Sequence, residues 1–198
     1  EMRPQTNILT AYAETAGVDV KDCELTIGKQ PFETNLEKYI VIHSVLTNWV
    51  GRQWFGFNEI AIALRKLGHK IVCVGGENEP LVDCDLDLRG KTSIQELADV
   101  IEKSELFIGI DSFPFHIAQA VNTPSVVFFG SIIPTTRIIR ENVTPVTAQD
   151  LPCLGCHHRQ LQPSIVTNKC ETQNIDCEKM VTVSHFLKEV KNKLCKNT

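Results

Sequence analysis

Short apolar runs rich in β-branched residues alternate with amphipathic segments from residue 39 onward, and this alternation restricts the fold more than any other feature. The apolar runs lack the polar alternation of half-exposed strands, so they are predicted to be strands covered on both faces. Strands fall at 39–43, 70–74, 106–110 and 125–129, and helices at 57–67, 94–101 and 114–121. Helical crossovers make neighbouring strands parallel, which predicts an α/β fold with a Rossmann-like, doubly wound parallel sheet.

Local signals support the boundaries of these helices. Gly68 ends the first helix, and Ser93 forms a capping box with Glu96 at the start of the next. A last amphipathic helix is predicted at 181–194, where it either packs against the sheet edge or reaches toward a neighbouring domain. Residues 85–88 are predicted as a short strand or an extended loop.

The N-terminal region does not follow this pattern. Residues 1–38 are interpreted as a linker with an N-terminal helix at 5–17, which ends at Gly17. Residues 39–198 form the predicted α/β domain. The chain begins with Glu1 rather than Met, which suggests a trimmed or partial protein.

The composition argues against several classes of protein. Hydrophobic residues make up 42% of the 198 residues, enough for a sizeable core, and the net charge is −4 with a pI of about 5.9. An acidic chain without a basic cluster is not expected to bind nucleic acid. No apolar run reaches 18 residues and the N-terminus lacks a signal-peptide pattern, so we expect no transmembrane segment.

Four loops leave the carboxyl ends of the predicted strands, where open parallel sheets bind their ligands. They are 43–52, 75–79, 111–113 and 130–131. Ser112 is placed as a helix N-cap with Pro114 in the first turn, where free N–H groups favour an anion such as a pyrophosphate. Arg52 adds a positive charge with forked donors. Glu77 or Glu79 can accept hydrogen bonds from sugar or ribose hydroxyls.

Each of these residues also has an ordinary structural interpretation. Ser112 can simply cap a helix, Asp111 can hold a loop amide, and a single His116 on a helix is more often packed or solvated than catalytic. Arg52 alone is a surface charge, and the two glutamates form an ordinary acidic loop. Their joint position on one rim of the sheet is what favours a binding site.

Eight cysteines are many for a chain without a secretion signal, and four of them lie in the loop 151–177. These four have the spacing C-x2-C-x13-C-x6-C, with two histidines after the second: Cys153, Cys156, Cys170 and Cys177. A structural zinc ion, a disulfide and reduced thiols all remain open for this cluster. Asp83-Cys84-Asp85 has the spelling of a D-x-D metal motif, but it lies in a connecting stretch and is interpreted as loop.

Three segments between Lys91 and Gly130 resemble glycosyltransferase family 9, the ADP-heptose:lipopolysaccharide heptosyltransferases and their relatives. The family pattern is T-S-L-x-E-L-A, then D-[ST]-G-P-x-H-x-A-A, then a P-x-x-x-x-[FY]-G strand. The matching segments are 92–98, 111–118 and 124–130. Residues 52–55 resemble the family's [KR]-x-W-P and residues 75–79 its G-G-x-x-E loop, and the cysteines resemble the cysteine-bearing tail of many members.

The resemblance implies one half of a GT-B architecture, in which two Rossmann-like domains face a cleft and the C-terminal one binds the donor. A nucleotide-diphosphate sugar such as ADP-heptose would bind here for inverting transfer to a lipopolysaccharide or surface-glycan acceptor. No cofactor is required, and the general base is expected in an N-terminal acceptor domain outside this chain. The implied donor residues are Ser44 or Thr47 and Arg52 at the phosphates, Glu77 or Glu79 at the ribose, Asp111, Ser112 and His116 at the sugar and diphosphate, and also Phe113 and Gly130.

Phe113 departs from the family pattern, which has glycine after Asp-Ser. Glycine lets a backbone approach a phosphate closely and permits positive φ, whereas phenylalanine permits neither easily. Three outcomes are open: the phosphates sit further out, the ring stacks on the base or sugar, or donor binding is weakened or lost. Phe55, where the family prefers proline, is a milder change.

Two functions remain in competition. The first is the donor domain of a family 9 glycosyltransferase, and the second is a non-catalytic or degenerate nucleotide-binding module, which Phe113 favours. A dinucleotide-binding domain is disfavoured because no G-x-G-x-x-G follows the first strand. We expect a cytoplasmic protein, either free or peripheral at the inner face of the inner membrane, that can form homo-oligomers through its cleft face.

Overall fold

The computed structural model describes residues 6–20, 24–45, 51–148, 150–158, 170 and 172–196. The strands are β1 (Ile40–His43), β2 (Ile71–Val74), β3 (Leu86–Asp87), β4 (Leu106–Ile110), β5 (Ser125–Phe128) and β6 (Val143–Val146). The α-helices are α1 (Ile8–Ala16), α2 (Phe57–Lys66), α3 (Ile94–Glu102), α4 (Phe113–Ala120), α5 (Asp176–Lys179) and α6 (Val183–Lys196). Short 3-10 helices lie at Pro134–Thr136 and Cys156–His158.

The strands form one parallel sheet in the order β3-β2-β1-β4-β5-β6. The chain moves outward from β1 through β2 to β3, and then crosses back to place β4 on the other side of β1. This reversal opens a crevice at the carboxyl ends of β1 and β4, which is where sheets of this kind bind ligands. The prediction of a Rossmann-like, doubly wound parallel sheet is confirmed.

Successive residues of the central strands point into two apolar layers. In β1, Ile40 and Ile42 belong to the layer that contains α2 and α6, whereas Val41 belongs to the layer that contains α3 and α4. Every residue of β1, β2, β4 and β5 is buried. Helices on both faces therefore account for the continuous apolarity of these strands.

The predicted helix boundaries follow from local hydrogen bonds. The capping box at α3 is present: Glu96 N donates to Ser93 Oγ at 3.2 Å, and Ser93 N donates to the Glu96 carboxylate at 2.7 Å. The N-terminal helix ends, as predicted, at Gly17, whose φ of 69° lies in the left-handed region that glycine adopts freely.

The edge strand β6 has no counterpart in the predicted elements. It pairs with β5, with Val143 opposite Ser125 and Val146 opposite Phe128, although it contains Pro145. Proline has no N–H to donate to a neighbouring strand, so it is tolerated on an edge where one side lacks a partner. The apolar pattern predicts no strand here because this proline interrupts it.

The last helix packs against the sheet, as one of the two predicted arrangements requires. α6 contacts α2, β5 and β6. Phe186 and Val190 are fully buried, and the Phe186 ring stacks on Trp54 with centroids 4.5 Å apart. The C-terminal helix is thus part of the domain core.

Residues 24–38, predicted as part of a linker, lie along α3. Phe32 N donates to Asp99 Oδ2 at 2.9 Å, and Gln30 N donates to Gln95 O at 3.2 Å. This segment is therefore held against the domain by backbone hydrogen bonds. Within the described residues, no helix is both long enough and apolar enough to cross a membrane.

Candidate functional site

A cavity of about 330 Å³ opens at the carboxyl ends of β1, β2 and β4, beside the reversal of strand order. His43, Glu79 and Ser112 contribute polar groups to its wall, and Ile94 and Phe113 contribute apolar ones. The two apolar side chains are each 53% exposed. A cavity that combines placed polar groups with exposed apolar side chains suits a ligand with a flat, partly apolar portion.

His43, the last residue of β1, connects two polar residues of the cavity. Its Nε2 lies 3.0 Å from Glu79 Oε2, and its Nδ1 lies 2.9 Å from Ser112 Oγ. An ionised carboxylate can only accept a hydrogen bond, so Nε2 of His43 donates to Glu79. Because His43 is only 3% exposed, the loop after β2 is tied to the start of α4 from inside the protein.

Glu79 is the glutamate of the loop after β2 that enters the cavity. Its Oε2 also accepts a hydrogen bond from Gly76 N at 2.8 Å. Burial alone would raise the pKa of this carboxyl, but the interactions with His43 and Gly76 outweigh it and lower the pKa, so the group is ionised at neutral pH. Glu77, the alternative in the prediction, is exposed and does not line the cavity.

Gly75 makes room for the Glu79 side chain. Its φ is 137°, and a Cβ at this position would clash with Glu79 Oε2 and lie 3.0 Å from His43 Cδ2. Both the backbone conformation and the space require glycine here. Gly75 is therefore what lets the carboxylate fold back beside His43.

Ser112 is the N-cap residue of α4, as predicted, but its hydroxyl does not cap the helix. The hydroxyl lies near His43 Nδ1 and is 3.2 Å from Ile110 O. The first turn of α4 therefore receives no side-chain cap from Ser112, and its N–H groups and the helix dipole favour an anion. Phe113 begins α4 without a positive φ, so its backbone conformation is one that phenylalanine adopts without strain.

Asp111 holds Arg52 beside the start of α4. Arg52 Nη2 donates to the Asp111 carbonyl oxygen and, at 3.1 Å, to Asp111 Oδ2. Burial lowers the pKa of the Arg52 guanidinium and the Asp111 carboxylate opposes this, but guanidinium groups stay protonated in proteins. Arg52 is thus a fixed positive charge at the predicted rim.

Two further basic side chains contact Asp111, and a third lies close by. Arg137 Nε is 3.5 Å from Asp111 Oδ2, and His116 Nε2 is 3.6 Å from Asp111 Oδ1. Burial lowers the pKa of His116 and of His157, and the charges of Arg52 and Arg137 lower both further, against the effect of Asp111. Nothing in the sequence pattern selects Arg137 or His157, because single basic residues in long loops have no characteristic spacing.

The loop that carries Arg52 is fixed by packing. Trp54 is 4% exposed and donates from Nε1 to a backbone carbonyl just before α6 at 2.9 Å. Ser131 N donates to Gly51 O at 2.8 Å, and a Cβ at Gly130 would clash with that same oxygen. Gly130, predicted as a donor residue, therefore allows the Arg52 loop to lie against the end of β5.

The structure thus gathers most of the predicted residues into two adjacent groups. Glu79, Ser112 and Phe113 line the cavity, while Arg52 and His116 surround Asp111. Ser44 is buried and does not line the cavity. Thr47 lies outside the described residues.

The cysteine cluster includes one deeply buried thiol. Burial raises the pKa of Cys177 to about 12, with smaller contributions from Cys156, Cys170 and Cys153. No three His, Cys, Asp or Glu side chains within the described ranges are arranged to hold a metal ion. Residues 159–169, between the second and third cysteines, are outside those ranges, and the structural zinc stays a prediction.

Comparisons with known sequences identify the family. The profile of glycosyltransferase family 9 (heptosyltransferase) matches residues 11–164. A lipopolysaccharide heptosyltransferase 3 of Escherichia coli is 34% identical over 38% of this chain and 26% of its own length. Lipopolysaccharide heptosyltransferase 3 of E. coli strain K12 is 28% identical over 61% of this chain and 39% of its own length. The chain therefore spans less than half the length of these curated relatives.

Solved structures share the fold at low sequence identity. A family 9 glycosyltransferase from Veillonella parvula has a TM-score of 0.73 at 16% identity, over 98% of this chain and 62% of its own. The iron-containing dodecameric heptosyltransferase TibC of enterotoxigenic E. coli was solved in complex with ADP-D-β-D-heptose. It has a TM-score of 0.69 at 19% identity, over 92% of this chain and 52% of its own. E. coli WaaC with ADP-2-deoxy-2-fluoro heptose has a TM-score of 0.53 at 14% identity, over 91% of this chain and 53% of its own.

The family profile spans the sheet together with both groups of site residues. It covers β1 to β6, the loop that carries Arg52, the glycine pair before Glu79 and the Asp111-Ser112 step into α4. The sequence match and the fold agree, and the chain belongs to glycosyltransferase family 9, the heptosyltransferase family.

Proposed function

We propose that this domain binds a nucleoside-diphosphate sugar of the ADP-heptose type and presents it for inverting transfer to a lipopolysaccharide or surface-glycan acceptor. The observation that carries the proposal is the cavity at the strand reversal. An ionised Glu79 lines this cavity, and Arg52 contacts Asp111 just before the uncapped start of α4. The Glu79 carboxylate suits the hydroxyl groups of a nucleoside. The start of α4 and Arg52 suit a diphosphate.

The nucleoside is assigned to the cavity. A ribose offers two neighbouring hydroxyl donors, and a carboxylate accepts from such groups. Oε2 of Glu79 already accepts from Gly76 N and contacts His43, so we assign the ribose to Oε1. The nucleobase would then lie against the exposed Phe113 and Ile94 at the apolar side.

The diphosphate is assigned to the start of α4 and to Arg52. In an inverting transfer an acceptor hydroxyl attacks the anomeric carbon, and the bond from that carbon to the diphosphate oxygen breaks. Negative charge then gathers on the departing diphosphate, where fixed cations and aligned N–H groups stabilise the transition state. The base that removes the hydroxyl proton is assigned to an acceptor domain, and no metal is needed for this step.

Relatives support the choice of donor. TibC has been solved with ADP-D-β-D-heptose and WaaC with ADP-2-deoxy-2-fluoro heptose. The chain spans about half of each, so transfer to an acceptor is proposed for the enzyme to which this domain belongs. Self-association also stays a prediction, in line with the dodecameric state of TibC.

The proposal is tested by titrating ADP into the wild-type chain, Glu79→Gln and Glu77→Gln by calorimetry. We expect Glu79→Gln to weaken ADP binding about tenfold or more, because a charge-assisted hydrogen bond is worth about 1.5–3 kcal/mol. Glu77→Gln removes the same charge two residues away, outside the cavity, and should stay within about threefold of wild type. Equal losses in both variants would contradict the assignment of the ribose to Glu79.

The competing function is a nucleotide-binding module without transferase activity, which the phenylalanine at position 113 favours. A module of this kind would bind ADP as the transferase does, but it would not transfer the sugar to an acceptor. Release of ADP from ADP-heptose in the presence of a lipopolysaccharide-core acceptor, by the whole protein, would support the transferase. Tight ADP-heptose binding without release of ADP would support the module.

A further inference from the structure

Two arginines share one buried carboxylate oxygen beside the start of α4. Arg52 Nη2 lies 3.1 Å and Arg137 Nε lies 3.5 Å from Asp111 Oδ2. The Asp111 side chain is 4% exposed, and the arginine side chains are 24% and 18% exposed. Two guanidinium groups thus lie against one carboxylate oxygen, which concentrates positive charge in a largely buried place.

The neighbouring histidines add little positive charge at neutral pH. Burial and the two arginines lower the pKa of His116 and of His157 below the ordinary value for histidine. Like charges that are held together away from water are costly, and an anion that contacts both offsets this cost. The cluster is therefore suited to an anion that carries more than one negative charge.

Arg137 is held to Asp111 by charge rather than by a directed hydrogen bond. Its 3.5 Å separation exceeds the usual 2.7–3.2 Å of an N–H···O bond, which the Arg52 contact satisfies. Its guanidinium can therefore move toward an incoming anion without breaking a short hydrogen bond to Asp111.

The backbone of Arg137 is nevertheless fixed relative to α4. Gln119, a fully buried residue of α4, donates from Nε2 to Arg137 O at 3.1 Å and accepts from Ile139 N at 2.6 Å. The same helix thus provides the N–H groups at its start and the anchor for the Arg137 loop. The loop that carries Arg137 is therefore held to the helix whose start is the proposed anion site.

We propose that Arg137 is a second phosphate-binding residue of this site, which exchanges its contact with Asp111 for the donor diphosphate and binds it together with Arg52. This inference rests on the proposed function. Asp111 acts as the positioning residue that keeps both arginines beside the start of α4. The arrangement assigns the nucleoside to Glu79 and the diphosphate to the arginine pair, so the two parts of a donor can be tested separately.

The experiment titrates inorganic pyrophosphate and ADP, by calorimetry, into the wild-type chain and the variants Arg137→Gln, Arg137→Lys and Arg140→Gln. We expect Arg137→Gln to weaken both ligands about 10- to 100-fold and Arg137→Lys to recover part of the loss. Arg140 lies three residues after Arg137 and donates from Nε to Gln119 O. Arg140→Gln should bind both ligands with affinities within about threefold of wild type. The salt dependence of pyrophosphate binding should also become shallower in Arg137→Gln, since one fewer cation contacts the ligand.

A second measurement uses the unmodified protein, so it does not depend on the folding of a variant. Phenylglyoxal labels exposed arginines, and mass spectrometry of the digested protein locates the labels. We expect pyrophosphate to protect Arg52 and Arg137 from labelling and to leave Arg140 unprotected. Labelling of Arg137 at the same rate with and without bound pyrophosphate would overturn the inference.

The outcomes separate this inference from the proposed function. If ADP binds the wild type and weakens in Glu79→Gln but not in Arg137→Gln, the nucleotide site stands and the role of Arg137 is refuted. If the wild type binds neither ADP nor pyrophosphate, the proposed function fails and the inference fails with it. Loss of pyrophosphate binding in Arg137→Gln but not in Glu79→Gln supports both.

Discussion

Phe113 occupies the position at which family 9 has glycine, and its ring lines the cavity instead of entering the core. Its backbone is that of an ordinary first helical residue, so the substitution introduces no strain there. The aromatic ring therefore either contributes a surface on which a base can stack or narrows the entrance. The exposed position favours stacking, because a ring with 53% of its surface in contact with water gains by being covered.

We predict that Phe113→Ala weakens ADP binding about tenfold, since stacking of a base on an aromatic ring is worth about 1–3 kcal/mol. Phe113→Tyr retains the ring and should bind ADP within about threefold of wild type. Calorimetric titration of both variants decides the matter. Tighter binding by Phe113→Ala would mean that the ring obstructs the cavity, and it would strengthen the case for a degenerate module.

Single residues of the site differed in how far the sequence predicted them. Ser112 and the pair Glu77 or Glu79 lie in loops that follow strands and fall within family motifs, so the sequence predicts them at the rim. Of these, Ser112 and Glu79 line the cavity. His43 and Arg137 were not selected. The role of His43 depends on the direction of one side chain at a strand end, and that of Arg137 on a long loop that folds back over α4. Neither property is encoded in a local spacing.

The loop after β2 takes its shape from the end of β3. Arg89 donates from Nε and Nη2 to the two carboxylate oxygens of Asp87, both at 2.9 Å, and from Nη1 to the carbonyl oxygen of Glu79. The hydrogen bonds from Arg89 lower the pKa of Asp87 from its ordinary value of 3.8 to about 2. The ion pair thus connects a strand end to the loop that carries the cavity carboxylate.

This ion pair predicts a pH dependence of stability. The pKa of Asp87 is lower in the folded protein than in the unfolded chain, so its contribution is complete above about pH 4 and is lost as the pH falls toward 2. The full shift corresponds to about 2 kcal/mol, and solvent screening of a partly exposed group should reduce it to about 1 kcal/mol. Asp87→Asn should therefore cost about 1 kcal/mol at pH 7 and progressively less below pH 4.

Urea unfolding between pH 7 and pH 3 measures this contribution, and Glu77→Gln serves as a control acid in the same region. The free energy of unfolding of Asp87→Asn should converge with that of the wild type as the pH falls. A difference that stays constant across this range would show that Asp87 acts by some means other than its charge.

At the scale of elements, the sequence predicted what continuous patterns encode. β1, β2, β4 and β5 are buried runs of β-branched or aromatic residues, and α2 and α3 repeat apolar residues at helical spacing, so all were predicted to within one or two residues. β6 was missed because an edge strand needs little apolar character and tolerates Pro145. α5 has only four residues, too few to show a period.

Trp54 joins the site to the rest of the molecule. Its ring stacks on Phe186 of α6, meets Phe57 of α2 edge-on with centroids 5.0 Å apart, and lies 6.4 Å from Phe128 of β5. It also follows Arg52 by two residues. The packing of the domain core and the position of Arg52, the proposed phosphate-binding residue, therefore depend on the same side chain.

We predict that Trp54→Ala lowers the free energy of unfolding by about 3–5 kcal/mol, as large-to-small changes of buried aromatic residues do. The neighbouring Phe55 is 61% exposed, and Phe55→Ala should change stability by about 0.5 kcal/mol or less. Guanidinium chloride unfolding of the two variants provides the comparison. A cost below about 1 kcal/mol for Trp54→Ala would contradict the central position of this residue in the core.

Asp111 is an anion that the protein keeps beside its own phosphate-binding arginines. In the proposed exchange, the donor displaces this carboxylate. When the bond to the sugar breaks, the departing nucleoside diphosphate gains negative charge and binds the arginines more strongly than the donor did. The carboxylate then competes with the product for the Arg137 guanidinium group. In this proposal, the residue that lowers the affinity for the donor also shortens the residence time of the product, and product release limits turnover in many enzymes.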